Sequence, residues 1–254
     1  MMKFIPPLIG MISTVSLLPA EEVPAKLLDL SSWKLTIPVK WESRKDAKEI
    51  KQPDLASYTD PNHFFTPADT KAVIFRAHCG GSTTKGSKYP RCELREMSAQ
   101  GKTKASWETN GKLAHTMTMR AAITHTPVIK KHVVCAQIHD STDDLIMIRL
   151  EGTHLFVERK PFKDVTINRN YVLGTVFDLK IQAHQGHVKV WYDGQEKMNW
   201  EISRKGCYFK AGCYTQSNTS KGDMPDSYGE VALYKLQITH GNPQLANKSD
   251  PEKQ

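Results

Sequence analysis

The amino-acid sequence predicts an all-β sandwich of two antiparallel sheets, and three observations carry that expectation. Period-two alternation of apolar and polar residues dominates the chain, the spacing that sends successive side chains to opposite faces of a strand. The alternating runs are short and closely spaced, with turn residues between them, as in sandwiches rather than alternating βα units. Apolar residues are spread evenly from Leu27 to Ile238 with no Pro-, Gly- or Ser-rich linker, so one domain is expected over 27–241. The chain of 254 residues with 39% apolar content is large enough for a substantial core and too apolar for disorder.

From the N-terminus, residues 1–20 read as a secretory signal peptide: Lys3, an apolar stretch from Phe4 to Leu18, and the small Ala20. Leu18 stands where a small residue is expected, and Pro6 and Pro7 interrupt the apolar run. A secreted protein follows, free of membrane contact after processing, since no other stretch is long enough to cross a bilayer. Residues Lys40 to Phe65 are polar, with charges grouped around Lys45 to Lys51, and a short surface helix is expected there. Beyond it, KAVIFRAHC, CELREM, LAHTMTMRAAIT, HVVCAQIH, DLIMIRLE, HLFVERK, FDLKIQA, HVKVWY, CYFKAGCY and EVALYKLQI give about ten strands. In the third of these, Met117, Met119, Ala121 and Ile123 form the apolar face, opposite Thr116, Thr118 and Arg120. Gly152 separates two strands, and Asp193-Gly194 predicts a tight hairpin turn. The polar tail, 242–254, has no periodicity and is expected to be mobile.

Lys and Arg number 35 against 27 Asp and Glu, a net charge of +8. A basic surface attracts polyanions, whether nucleic acid or acidic polysaccharide, and equally serves solubility. No zinc-finger spacing, P-loop or long Lys/Arg block is present, so nucleic acid is not the expected partner. Five cysteines leave at least one thiol free or paired between chains; Cys79 with Cys92 and Cys207 with Cys213 are the expected disulfides. Asn218 and Asn247 match the glycosylation acceptor pattern.

Three strands are polar where core strands would be apolar. In YPRCELREM, Arg91, Glu93 and Arg95 share one face while Cys92 and Leu94 take the other. Such a face is either solvated and internally ion-paired or a cradle for a carboxylate, with Glu93 holding the guanidinium groups in place. In HVVCAQIHD, Gln137 and His139 are expected on a face with Val133 and Cys135, opposite Val134, Ala136 and Ile138. These polar groups must be hydrogen-bonded internally or open to a cleft. In CYFKAGCYTQ, Tyr208, Lys210, Gly212, Tyr214 and Gln216 share a face, with Gly212 expected to open room for a ligand.

The blocks Arg91-Cys-Glu-Leu-Arg95, Gln137-Ile-His139 and Tyr208-Phe-Lys-Ala-Gly-Cys-Tyr-Thr-Gln216 resemble, in order, those of the alginate lyases of polysaccharide lyase family 7. The segment DLSSWKLTIPV, with Trp33, Leu35 and Pro38, resembles the start of that family's domain, and similarity runs from Leu30 to about His240. The sequence departs from the pattern at Cys92, Cys213 and Thr215, and the two cysteines should face away from the groove.

The resemblance implies a β-jelly roll whose concave sheet binds the polymer, with Arg91, Gln137, His139 and Tyr214 catalytic and Glu93, Arg95, Lys210 and Gln216 binding substrate. It implies an endo-acting lyase that cuts alginate by β-elimination, as a monomer and with neither metal nor cofactor. In that chemistry Arg91 and Gln137 would stabilise the charge developing on the uronate carboxylate as H5 leaves. His139 would neutralise the same group or act as base, and Tyr214 would protonate the leaving O4 and can also serve as base. Lys210 would favour a phenolate or bind polymer. Gln-Ile-His, through Ile138, tilts the expected preference slightly toward guluronate-containing blocks. A lectin of the same fold would need no such catalytic set, and a glycoside hydrolase needs paired carboxylates, whereas Glu93 and Glu96 should face opposite ways.

Overall fold

The computed structural model describes residues 22–42 and 46–242. The expected leader, residues 243–254 of the expected tail and the Asn247 acceptor lie outside the described residues.

Fifteen strands form among the described residues. They begin with β1 (Trp33–Lys40), β2 (Ala47–Ile50), β3 (Phe64–Phe65), β4 (Val73–His78) and β5 (Arg91–Glu96). Then come β6 (Ala114–His125), β7 (His132–His139), β8 (Asp144–Glu151), β9 (His154–Arg159) and β10 (Phe162–Asn168). The last are β11 (Phe177–His184), β12 (His187–Tyr192), β13 (Gln195–Glu201), β14 (Tyr208–Thr215) and β15 (Tyr228–Gly241). They make two antiparallel sheets of jelly-roll topology: eight strands in the order β10-β9-β8-β7-β14-β5-β1-β2, and seven in the order β13-β12-β11-β6-β15-β4-β3. The three polar strands, far apart in sequence, are thereby neighbours as β7, β14 and β5.

The core lies between the sheets. Leu94, Ile138 and Phe209 from the eight-stranded sheet meet Phe75, Met117, Met119, Ile123 and Leu233 from the other, all buried. Each such side chain contributes about 1.5–3 kcal/mol when taken out of water, and the alternation that marked Met117 to Ile123 is the alternation of burial along β6. Asp193 and Gly194 carry φ of 47° and 78° between β12 and β13, the left-handed pair that a two-residue hairpin of matching twist requires.

Several local expectations are corrected. The one short helix between Lys40 and Phe65 among the described residues is a single 3-10 turn at Asp54–Ala56. The charged stretch from Ala47 to Ile50 instead forms β2, with Leu35 of β1 opposite Ile50, because Ala47 and Ile50 can be buried there while the charged residues remain partly exposed. The first sheet's phase also changes along β7. Its ladder with β8 shifts between Val134 and Ala136, and Val133 and Cys135 join the core instead of sharing the face of Gln137 and His139. Gly212 does not open room for a ligand: a Cβ there would lie 2.7 Å from the Cys92 carbonyl oxygen and 2.8 Å from Phe75 Cδ1, so the glycine admits the facing sheet.

The expected disulfides are absent; all five cysteines are free and buried. Cys207 and Cys213 are separated by most of the extended β14, at about 3.3 Å per residue, far beyond the roughly 7 Å limit for a bridge. Cys79 sits beside Ser217 and Ser227, whereas the Cys92 thiol donates to the His63 carbonyl at 3.1 Å. Cys92 and Cys213 face the core, away from the polar face.

Candidate active site

Register brings the polar side chains together. Lys210 on β14 lies between Arg95 on β5 and Gln137 on β7; Tyr214 lies opposite Arg91, and Tyr208 opposite His139. Arg91, Arg95, Gln137, His139, Lys210 and Tyr214 line one open cleft of about 550 Å³. Lys34 and Thr36 from β1, Glu49 from β2, Thr84 to Ser87 from the loop before β5, Lys104, Tyr208, and the Ser141–Asp144 turn complete its walls. Of the expected site residues, two are not brought to this lining: Glu93, expected to bind substrate, lies buried beneath it, and Gln216 follows β14, is buried, and donates its backbone N–H to the His132 carbonyl at 3.2 Å.

Glu93 is buried beneath the cleft, 2% exposed, and organises it. Its Oε2 accepts from Arg91 Nη1 at 2.9 Å and pairs with Lys210 Nζ, while Oε1 accepts from Gln137 Nε2. Burial alone would raise the pKa of Glu93, but the charges of Lys210 and Arg91 and the hydrogen bonds from Lys210 and Gln137 outweigh it and hold the carboxyl below its usual range. Burial, reinforced by repulsion from Arg91 and opposed by Glu93, pulls Lys210 down to about 8. Lys210 is thus a buried partner of Glu93, with its ammonium 6.0 Å from the Tyr214 ring centre.

The histidine has a defined tautomer. Its Nδ1 lies 2.6 Å from the Asp140 carbonyl oxygen, which can only accept, so Nδ1 carries a proton and the lone pair of the neutral ring is on Nε2. Burial lowers the pKa of His139, with the Asp140 carbonyl opposing and Lys210 reinforcing, which favours that neutral ring. The Tyr208 ring stacks on the imidazole at 5.3 Å, with its hydroxyl oxygen 3.1 Å from the Nδ1–H. The Arg95 guanidinium covers the Tyr208 ring at 3.8 Å, and that of Arg91 covers the Tyr214 ring at 3.7 Å. The Tyr214 hydroxyl lies 3.1 Å from Ser87 Oγ.

The arrangement offers a fixed guanidinium and amide, a neutral imidazole base and a phenol around one basic cleft. Alginate lyase is the family whose sequence model matches residues 28–240. The chain belongs to polysaccharide lyase family 7, the alginate lyases.

Among solved structures, this lyase is similar to alginate lyase AlgAT5 of family 7, with 53% identity and a TM-score of 0.83 over 87% of this chain and 99% of that one. It is similar to the alginate lyase from Corynebacterium sp. at 43% identity and a TM-score of 0.82, covering 88% and 100% of the two chains. A curated alginate lyase of Klebsiella pneumoniae is 26% identical over 87% of this chain and 92% of that protein. The fold also adds residues to the lyase's cleft that period-two reasoning did not assign: Ser87, Lys34, Lys104, Asp143 and Asp144. Ser87 lies in a loop, where no periodicity marks orientation, and the acidic pair follows the end of the Gln-Ile-His strand.

Proposed function

We propose that Arg91, Gln137, His139 and Tyr214 carry the β-elimination of alginate in this cleft, cutting within the chain and favouring guluronate-containing blocks. Arg91 and Gln137 bind the uronate carboxylate and stabilise the charge that develops on it as the C5 proton leaves. Arg91 reaches the cleft lining with its guanidinium fixed by Glu93 and Ser87, so a carboxylate meets a charge already in place. His139 Nε2 takes the C5 proton, the C5–H electrons form the C4–C5 double bond, and the C4–O4 bond breaks as Tyr214 protonates O4. The products are an unsaturated uronate end and a free hydroxyl, with no water consumed.

Guluronate places the departing proton and O4 on opposite faces of the sugar and needs a base distinct from the acid. The observation that carries the reading is that base and acid come from different strands: a neutral imidazole on β7, held by the Asp140 carbonyl, and a phenol on the neighbouring β14, with Arg91 and Gln137 joined through Glu93 on the same sheet. Ile138 is wholly buried in the core, so any bearing on block preference acts through the strand. Arg95 and Lys104 are cations for neighbouring carboxylates of the polymer, while Lys34 is already paired with Glu49 in the same cleft wall. The same reading makes the protein a secreted monomer whose leader is residues 1–20.

Ultraviolet absorbance of unsaturated uronate, measured with polyM, polyG, mixed alginate and glucuronan, tests this function. PolyG or mixed alginate should turn over fastest, with products of several sizes from the outset. Tyr214→Phe should keep polymer binding and lose about 10²–10⁴-fold in kcat. Polymer binding without any absorbance increase would assign a lectin instead.

A further inference from the structure

We infer that Ser87 is a positioning residue that keeps the Tyr214 proton directed at the substrate and supplies a hydrogen bond to the oxygen that loses it. This rests on Tyr214 being the acid. Four polar atoms surround Ser87 Oγ: the Tyr89 N–H at 3.2 Å, Arg91 Nη2 at 3.1 Å, the Tyr89 carbonyl oxygen at 3.1 Å and the Tyr214 hydroxyl at 3.1 Å.

A serine hydroxyl has one proton to donate and two lone pairs with which to accept. The Tyr89 N–H and the Arg91 guanidinium can only donate, and together they occupy both lone pairs. Ser87 therefore has no capacity left to accept from Tyr214. Its own proton has two possible destinations, the Tyr89 carbonyl and the Tyr214 oxygen. In neither arrangement is the Tyr214 proton spent on Ser87, so it remains available to O4.

During cleavage the phenol O–H bond breaks as the O4–H bond forms, and the electron pair stays on the Tyr214 oxygen. Rotation of the Ser87 hydroxyl from the Tyr89 carbonyl to that oxygen then gives the phenolate a donor at the moment its charge appears. No proton leaves Ser87. Water returns the proton to Tyr214 and accepts the one held by His139, which closes the cycle.

The loop is fastened for this task. Asn218 Nδ2 donates to the Lys88 carbonyl at 2.7 Å, and Lys130 Nζ donates to the Tyr89 hydroxyl at 3.3 Å. Ser87 also joins the two groups that must meet one sugar, since Arg91 both donates to it and covers the Tyr214 ring.

The test compares wild type, Ser87→Ala, Ser87→Thr, Tyr214→Phe and the Ser87→Ala/Tyr214→Phe double variant on polyG, with kcat and KM from absorbance. A hydrogen bond to a charged group predicts a kcat loss of about 10–100-fold in Ser87→Ala, with KM changed by less than about twofold. Ser87→Thr, which retains the hydroxyl, should recover most of the rate. In the Tyr214→Phe background the alanine substitution should cost nothing further, because the oxygen it serves is gone. With the thermal midpoint of each variant held equal to that of the wild type, an unchanged kcat in Ser87→Ala, a loss confined to KM, or an equal loss with and without the Tyr214 hydroxyl overturns the assignment. Wild type without absorbance would instead overturn the lyase chemistry beneath it.

Discussion

Glu93 shows how one side chain can set the character of a site without facing the polymer. It accepts from Arg91, Lys210 and Gln137 while 2% exposed, so its removal leaves a buried ammonium and guanidinium without their counter-charge. Glu93→Ala should lose about 3–5 kcal/mol of stability in urea unfolding and should also depress kcat/KM; an unchanged midpoint would show that the carboxylate is dispensable. This centre was legible in the sequence because Arg91, Glu93 and Arg95 alternate with Cys92 and Leu94, and a strand must separate such sets. Which way Glu93 turned was not legible. Two of its three partners, Gln137 and Lys210, are on β7 and β14, and their register is a property of the assembled sheet.

At the scale of elements, β14 combines a site with a packing constraint. Lys210 and Tyr214 face the cleft, while between them Gly212, at φ 130°, admits Phe75 from the facing sheet. Gly212→Ala should therefore destabilise by at least about 1–3 kcal/mol, from backbone strain and overpacking, visible as a lower urea midpoint. The same glycine had suggested ligand space in the sequence, because period-two reasoning does not foresee the ladder shift between Ala211 and Tyr214. β2 was missed for a different reason: its charges mimic a surface helix, and only the pairing with β1 shows the strand.

The turn between β7 and β8 gives the cleft a pH response. Burial, aided by the hydrogen bond with Asp143, raises Asp144 to about 6, and both carboxyls line the cleft. As pH rises through about 6, Asp144 ionises and repels a polyanionic substrate, so KM for polyG should climb. Asp144→Asn should flatten that climb; an identical KM profile in the variant would locate the pH dependence elsewhere.

Across the whole molecule, one buried and several half-buried histidines weaken the fold toward acid pH. Burial, with His240 nearby, lowers His115 from its ordinary 6.5 to about 4, and His78, His132 and His139 are lowered as well, each chiefly by burial. Between those pH values the unfolded chain binds protons that the folded chain does not, so stability falls as pH is lowered through the window. Thermal midpoints should be highest above pH 6.5 and decline steadily toward pH 4; His115→Phe should weaken the slope, and a flat profile would contradict the linkage.

The placement of the three polar blocks on neighbouring strands also governs how activity first arises in a newly made chain. Tyr214 pairs with Arg91, and Tyr208 with His139, across sequence separations that no hairpin can close. Loops of that length are slow to close, and contacts of this kind come late in folding. No fragment ending before β14 holds both His139 and Tyr214, the proposed base and acid, so turnover reports the pairing of β14 with β7 and β5. In a refolding time course, regained catalysis marks the last step, and secondary structure alone will run ahead of it.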